Sequence, residues 1–218
     1  MNKIRTILLD ALILFAVSTV FVALADRAFS GLKGKVPKDD PVVTAIGQGE
    51  LSGLETAIKE LEKDPKYSVA TQTDEHRRTS LMRAAYANLD DPAKLKKSDE
   101  TRAPMVTLLL AKGSLIDAVD RDGWSALMWA AWSGMPMVAN ELLNRGANPD
   151  LADHHGNTAL IIAAQRGQLE IIKALLAKGA DKSATTKSGL TAAAAAATGK
   201  RLHADQAETF DAILAVLQ

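Results

Sequence analysis

Two groups of side chains in this sequence are of types that do chemistry. His154 and His155 are adjacent, and Asp150, Asp153 and Asp181 form a loose carboxylate series. Imidazoles ligate metals or move protons near neutral pH, and carboxylates serve as general acids and bases. The spacing argues against both uses. Neighbouring residues on an extended segment point to opposite sides, so His154 and His155 are poorly placed to hold one ion together. The aspartates fall in loops, where a carboxylate bonds nearby backbone N–H groups. The sequence has no phosphate-binding glycine loop, no H-E-x-x-H and no G-x-S-x-G. It has no cysteine, which removes thiolate nucleophiles, cysteine zinc sites and disulfides. No catalytic residue, cofactor or metal is expected, and the protein is read as a non-enzyme. The chemistry that does stand out is binding chemistry. All three tryptophans, Trp124, Trp129 and Trp132, fall within nine residues, with arginines nearby. Trp and Arg are the side chains enriched at binding hot spots.

What positions these residues is a repeat. Gly123, Gly156 and Gly189 are 33 residues apart. Around the first, Gly123-x-Ser125-Ala126-Leu127-x-x-Ala130-Ala131-x-x-Gly134 leads to Leu142-Leu143-x-x-Gly146-Ala147-Asn148. Around the second, Gly156-x-Thr158-Ala159-Leu160-x-x-Ala163-Ala164-x-x-Gly167 leads to Leu175-Leu176-x-x-Gly179-Ala180-Asp181. The third begins Gly189-x-Thr191-Ala192-Ala193 and then loses the pattern. Ser125 and Thr158 are natural N-caps for the helix that follows. Leu127, Ala130 and Ala131 are spaced i, i+3 and i+4 and mark its core face. In that register the three tryptophans are not core positions. One such unit cannot bury its apolar face alone, so several must stack.

These residues resemble the ankyrin family, whose signature is G-x-T-P-L-H-x-A-A-x-x-G followed by L-L-x-x-G-A-D. The resemblance covers roughly residues 74 to 199. Ala126 and Ala159 depart from the usual Pro, and Met128 and Ile161 from the usual His. The fold it implies is an all-α repeat solenoid of about five helix–turn–helix units with short β-hairpin fingers. The family's variable positions line a concave binding face. They fall on Trp124, Trp129 and Trp132, on Arg78, Arg83 and Tyr86 in the preceding repeat, and on Asn157, Ile162, Gln165 and Arg166 in the following one. With the finger residue His155, these are the candidate partner-binding residues, and the implied partner is another protein.

The flanking repeats are less regular. Pro41 to Glu62, with Gly49-Glu50-Leu51 at its turn, is read as the N-terminal cap. The next unit runs from Asp74 through Thr79-Ser80-Leu81 and Ala84-Ala85 to Leu109-Leu110, with Arg77 in the glycine position. Leu142 lies 11 residues after Ala131, but Leu109 lies 24 after Ala85. The extra residues, charged and bracketed by Pro92 and Pro104, centre on 90–103 and predict a surface loop. Ala204 to Gln218, with Phe210, Ile213, Leu214 and Leu217 on one side, predicts a C-terminal capping helix.

The N-terminus reads as an address. Lys3 and Arg5 precede an apolar stretch from Ile7 to Ala25, interrupted only by Asp10 and ending Ala23-Leu24-Ala25. That is the pattern of a secretory signal peptide cleaved after Ala25. The same stretch is long enough to cross a bilayer of about 30 Å, so an uncleaved anchor is the alternative. In both cases the rest of the chain is exported. Residues 26–40 have linker composition, and 41–218 form the repeat domain. The 26 basic and 26 acidic residues balance, so no charge excess draws the chain to nucleic acid. An export signal on a small ankyrin domain implies a bacterial periplasmic protein, or one anchored in the inner membrane and facing the periplasm. Two roles are open: an accessory factor for an exported enzyme, as resembling periplasmic ankyrin proteins are linked to catalase and antioxidant defence, or an immunity protein that neutralises a secreted toxin.

Overall fold

A computed structural model describes residues 40–64, 68–70, 72–87 and 92–218. The readings of residues 1–25 and of the linker, apart from Asp40, lie outside the described residues. The described chain forms ten α-helices: α1 (Pro41–Gln48), α2 (Leu51–Leu61), α3 (Ser80–Ala84), α4 (Pro92–Ala111), α5 (Ala126–Ser133), α6 (Pro136–Asn144), α7 (Ala159–Gln165), α8 (Leu169–Ala177), α9 (Ala192–Leu202) and α10 (Ala207–Leu217). A 3-10 turn, Ala204–Gln206, precedes α10.

The helices alternate between two rows. α1, α3, α5, α7 and α9 pack in sequence as an inner row, and α2, α4, α6, α8 and α10 as an outer row. Each inner helix also packs on the outer helix that follows it, which makes five stacked pairs. This is the all-α repeat solenoid expected from the 33-residue period. The caps explain where the inner helices begin. The hydroxyls of Thr79, Ser125, Thr158 and Thr191 accept from the backbone N–H three residues on, in Met82, Met128, Ile161 and Ala194. The paired alanines Ala130-Ala131 and Ala163-Ala164 are fully buried, as close approach of inner helices requires. At the C-terminal end Phe210 and Ile213 are sealed and Leu217 nearly so, which closes the last repeat. The fingers are tight turns closed by single antiparallel bridges, Thr73 to Thr79, Ala152 to Thr158 and Thr185 to Thr191.

One expectation is corrected here. Residues 92–103 are not a loop. They extend α4 at its N-terminus into a single 20-residue helix that carries Pro104 inside it. The physical reason lies in two charged side chains of the extension. Asp99 is buried, and its carboxylate accepts from the backbone N–H of Met137 at 2.8 Å and Val138 at 2.9 Å, at the start of α6. That helix has Met135 at its N-cap and no cap from its own side chains, so Asp99 satisfies its free N–H groups from another helix. Arg102 reaches the opposite way and donates through Nη1 to the carbonyls of Arg83 and Tyr86, both at 2.8 Å, where α3 ends. The inserted turns therefore tie the second repeat to the third.

Candidate partner-binding face

The finger turns are built on a recurring carboxylate. Asp120 Oδ1 accepts from the N–H groups of Asp122 and Trp124, both at 2.9 Å. Asp153 Oδ1 accepts from His155 and Asn157 at 2.8 Å, and Asp74 Oδ1 from His76 and Arg78. In the last finger the Thr186 hydroxyl does the same for Leu190. Asp153 thus forms the turn expected of a carboxylate at that loop position. Asp150 and Asp181 act one step away: Asp150 Oδ1 accepts from the Asp181 N–H of the next loop, and Asp181 Oδ1 from Ser183.

Main-chain bonds then join finger to finger. Arg121 N donates to His76 O at 3.0 Å, His154 N to Asp122 O at 3.2 Å, and Lys187 N to His155 O at 2.9 Å. Four fingers thus stand in one row. Gly123 shows how closely they stack. At its φ of +86° an added Cβ would lie 3.0 Å from both the ring and the backbone N of His154, so only glycine fits. The exposed tips are Glu75, Arg77, Arg121, Asp122, His154, His155, Lys187 and Ser188.

The tryptophans correct a second expectation. They are not outside the core. Trp124, Trp129 and Trp132 are only 5%, 2% and 8% exposed, and all eight residues of α5 are buried. A helix apolar on every side is a buried one. The rings form one cluster: Trp124 and Trp129 have centroids 4.5 Å apart, Trp124 and Trp132 5.8 Å, and Tyr86 meets Trp129 edge-on at 5.3 Å. The indole N–H groups are used as well. Trp129 Nε1 donates to Asp120 Oδ2 and Trp124 Nε1 to Asp153 Oδ2, each at 3.1 Å. Aromatic bodies with a satisfied polar handle are well suited to such burial.

The other candidates spread around this cluster. The Arg166 guanidinium lies over the Trp132 ring at 4.4 Å and is itself exposed. Arg83 is half-buried and, with the buried Arg78, bonds Asp74 Oδ2. Asn157 Nδ2 donates to Asp153 Oδ2 at 2.9 Å. Gln165 is half-buried, Ile162 buried and His155 exposed. The structure therefore joins Tyr86, the three tryptophans and Arg166 across three repeats, and leaves His155 on the finger row.

Electrostatics separate the finger carboxylates. Burial alone would raise Asp74, but the Arg78 N–H and the charges of Arg78 and Arg83 outweigh it and hold the carboxyl below its ordinary value. At Asp120 the balance goes the other way. Burial pushes it up, against the N–H groups of Trp124 and Asp122 and the indole of Trp129. Asp99 and Arg102 were not legible as functional groups, because a polar face at helical spacing on α4 was the only signal for them. Among the described residues no group of three or more His, Asp or Glu side chains could hold a metal ion, and no helix is long and apolar enough to cross a membrane.

A family model described as ankyrin repeats (3 copies) matches residues 44–153, 93–186 and 134–206. A search of curated proteins finds no match.

Proposed function

The chain belongs to the ankyrin-repeat family, and from that premise we propose that it is an exported protein-binding scaffold which grips its partner with the finger row and the accessible rim of the aromatic cluster. Ankyrin repeats commonly mediate binding to other proteins. The observation that carries the reading is the chain of three main-chain bonds between fingers, which holds the tips in one fixed row before any partner arrives. A surface ordered in advance loses little conformational entropy on association. In this reading His155, Asn157, Gln165 and Arg166 supply direct contacts, with Arg83 and Tyr86 at the neighbouring edge. Trp124, Trp129 and Trp132 act from beneath, as the rigid bed on which Arg166 and the fingers rest. Export is supported by Lys3, Arg5 and the apolar stretch that ends at Ala25.

Capture with the full chain as bait tests both parts. A stoichiometric protein retained by the unaltered chain and lost with the double variant His155→Glu, Arg166→Glu, at an unchanged melting temperature, supports the face. A partner retained by the variant places the interface elsewhere. An enzyme as partner indicates an accessory role, and a toxin indicates immunity. Cell fractionation with N-terminal sequencing separates a chain beginning at Asp26 from one that keeps Met1, and a wholly cytoplasmic protein would refute export.

A further inference from the structure

The finger face leaves one charged cleft of the molecule unused. Lys94, Lys97, Ser98, Thr101 and Arg102 recur at i, i+3, i+4, i+7 and i+8, a single face of α4. Opposite the Gly47–Gly49 turn of the first repeat, that face borders a cleft of about 580 Å³. Among the described residues no carboxylate lines it. The acidic residues of α4 turn away: Asp99 caps α6, and Glu100 faces the groove between α4 and α6.

Arg102 is the informative group. Its Nη1 is committed to two carbonyls, while its Nε and Nη2 donors make no hydrogen bond among the described residues. No carboxylate among those residues pairs with it, in contrast to Arg78 and Arg83, which share Asp74. Burial holds its pKa below the ordinary arginine value. Removing a cation from water without a counter-charge is costly, and a bound anion relieves that cost. The free Nε–Nη2 edge is the fork that matches two oxygens of one oxyanion.

We propose that this cleft binds a phosphate group, free or carried as a monoester, with Arg102 as its anchor, Lys97 as a second cation and the Ser98 hydroxyl as a further donor. The site is separate from the finger row, so partner capture through the fingers and anion binding stand or fall independently.

Calorimetric titration of the full chain at constant ionic strength, with inorganic phosphate in one arm and phenyl phosphate in the other, is the test. Saturable one-to-one binding in either arm is expected, weakened tenfold or more by Lys97→Glu. Lys97 is exposed, and its replacement leaves the melting temperature unchanged. Equal binding in both arms identifies the free anion as sufficient, and binding confined to phenyl phosphate identifies a site that also reads the ester group. Absence of saturable binding in both arms, or binding undiminished by Lys97→Glu, overturns the proposal.

Discussion

The indole N–H of Trp124 donates to Asp153 Oδ2 at 3.1 Å, from the finger of one repeat to the finger carboxylate of the next. The same carboxylate holds its own turn through the His155 and Asn157 N–H groups. One side chain therefore couples the shape of a finger to the packing of its neighbour. Trp124→Phe keeps most of the ring and removes the donor. It should cost about 1–2 kcal/mol, read as a lower urea midpoint with an unchanged slope.

Trp129 is buried, and its indole bonds Asp120. Trp129→Ala should therefore cost about 3–5 kcal/mol, the range for deleting a large aromatic from a core. Thermal denaturation decides the matter. A nearly unchanged melting temperature would return the tryptophans to the surface role that their register first suggested.

Asp99→Ala strips the cap from α6 and should cost about 2 kcal/mol, since two helix N–H groups lose their acceptor. Its pH signature has a definite sign. Burial raises the folded Asp99 carboxyl above 3.8, against the two N–H groups. The native state then binds the proton more tightly than the unfolded chain, so stability falls as pH rises from 3.8 through the raised value. In Asp99→Asn that fall is absent, so the unaltered chain loses stability relative to the variant as pH rises through the window. Asp74, held low, has the opposite sign: its contribution is full above 3.8 and is lost as pH falls through its folded value. Urea midpoints across this range for the unaltered chain, Asp99→Asn and Asp74→Asn separate the two.

Arg77 has φ +61°, the one positive value outside glycine among the described residues, at the place where the later fingers carry Gly123, Gly156 and Gly189. Left-handed backbone costs a side-chain-bearing residue about 1–2 kcal/mol, and glycine returns part of that as unfolded-state entropy. Arg77→Gly should stabilise the protein by about 0.5–1 kcal/mol, measured as a raised melting temperature.

Gly199 faces Phe210 in the last repeat. An added Cβ would lie 2.7 Å from the ring Cζ and 2.8 Å from the Gln165 carbonyl. Gly199→Ala should destabilise the C-terminal cap by about 1–3 kcal/mol through overpacking. Faster amide exchange in α10 than in α5 would locate the loss.

The sequence by itself determined the repeat, its period and its caps. Gly123, Ser125, Ala130-Ala131 and Gly134 each answer a local demand of backbone or cap, and local demands are written in neighbouring residues. The same locality made Phe210 and Ile213 readable as the face of a capping helix. What the sequence left undecided were side chains whose partners lie in other repeats. Trp129 looked exposed in the register of one helix and is buried, because a single helix does not reveal how much of its surface the rest of the fold covers. Asp99 and Arg102 looked like solvated charges in a loop, and they make the loop a helix. Their acceptors and donors sit at Met137, Val138, Arg83 and Tyr86, on other helices or just past the end of one. Burying a charge is tolerable only where such partners converge. Only the stacked structure shows that they do, and only there does the cleft beside Arg102 come into view.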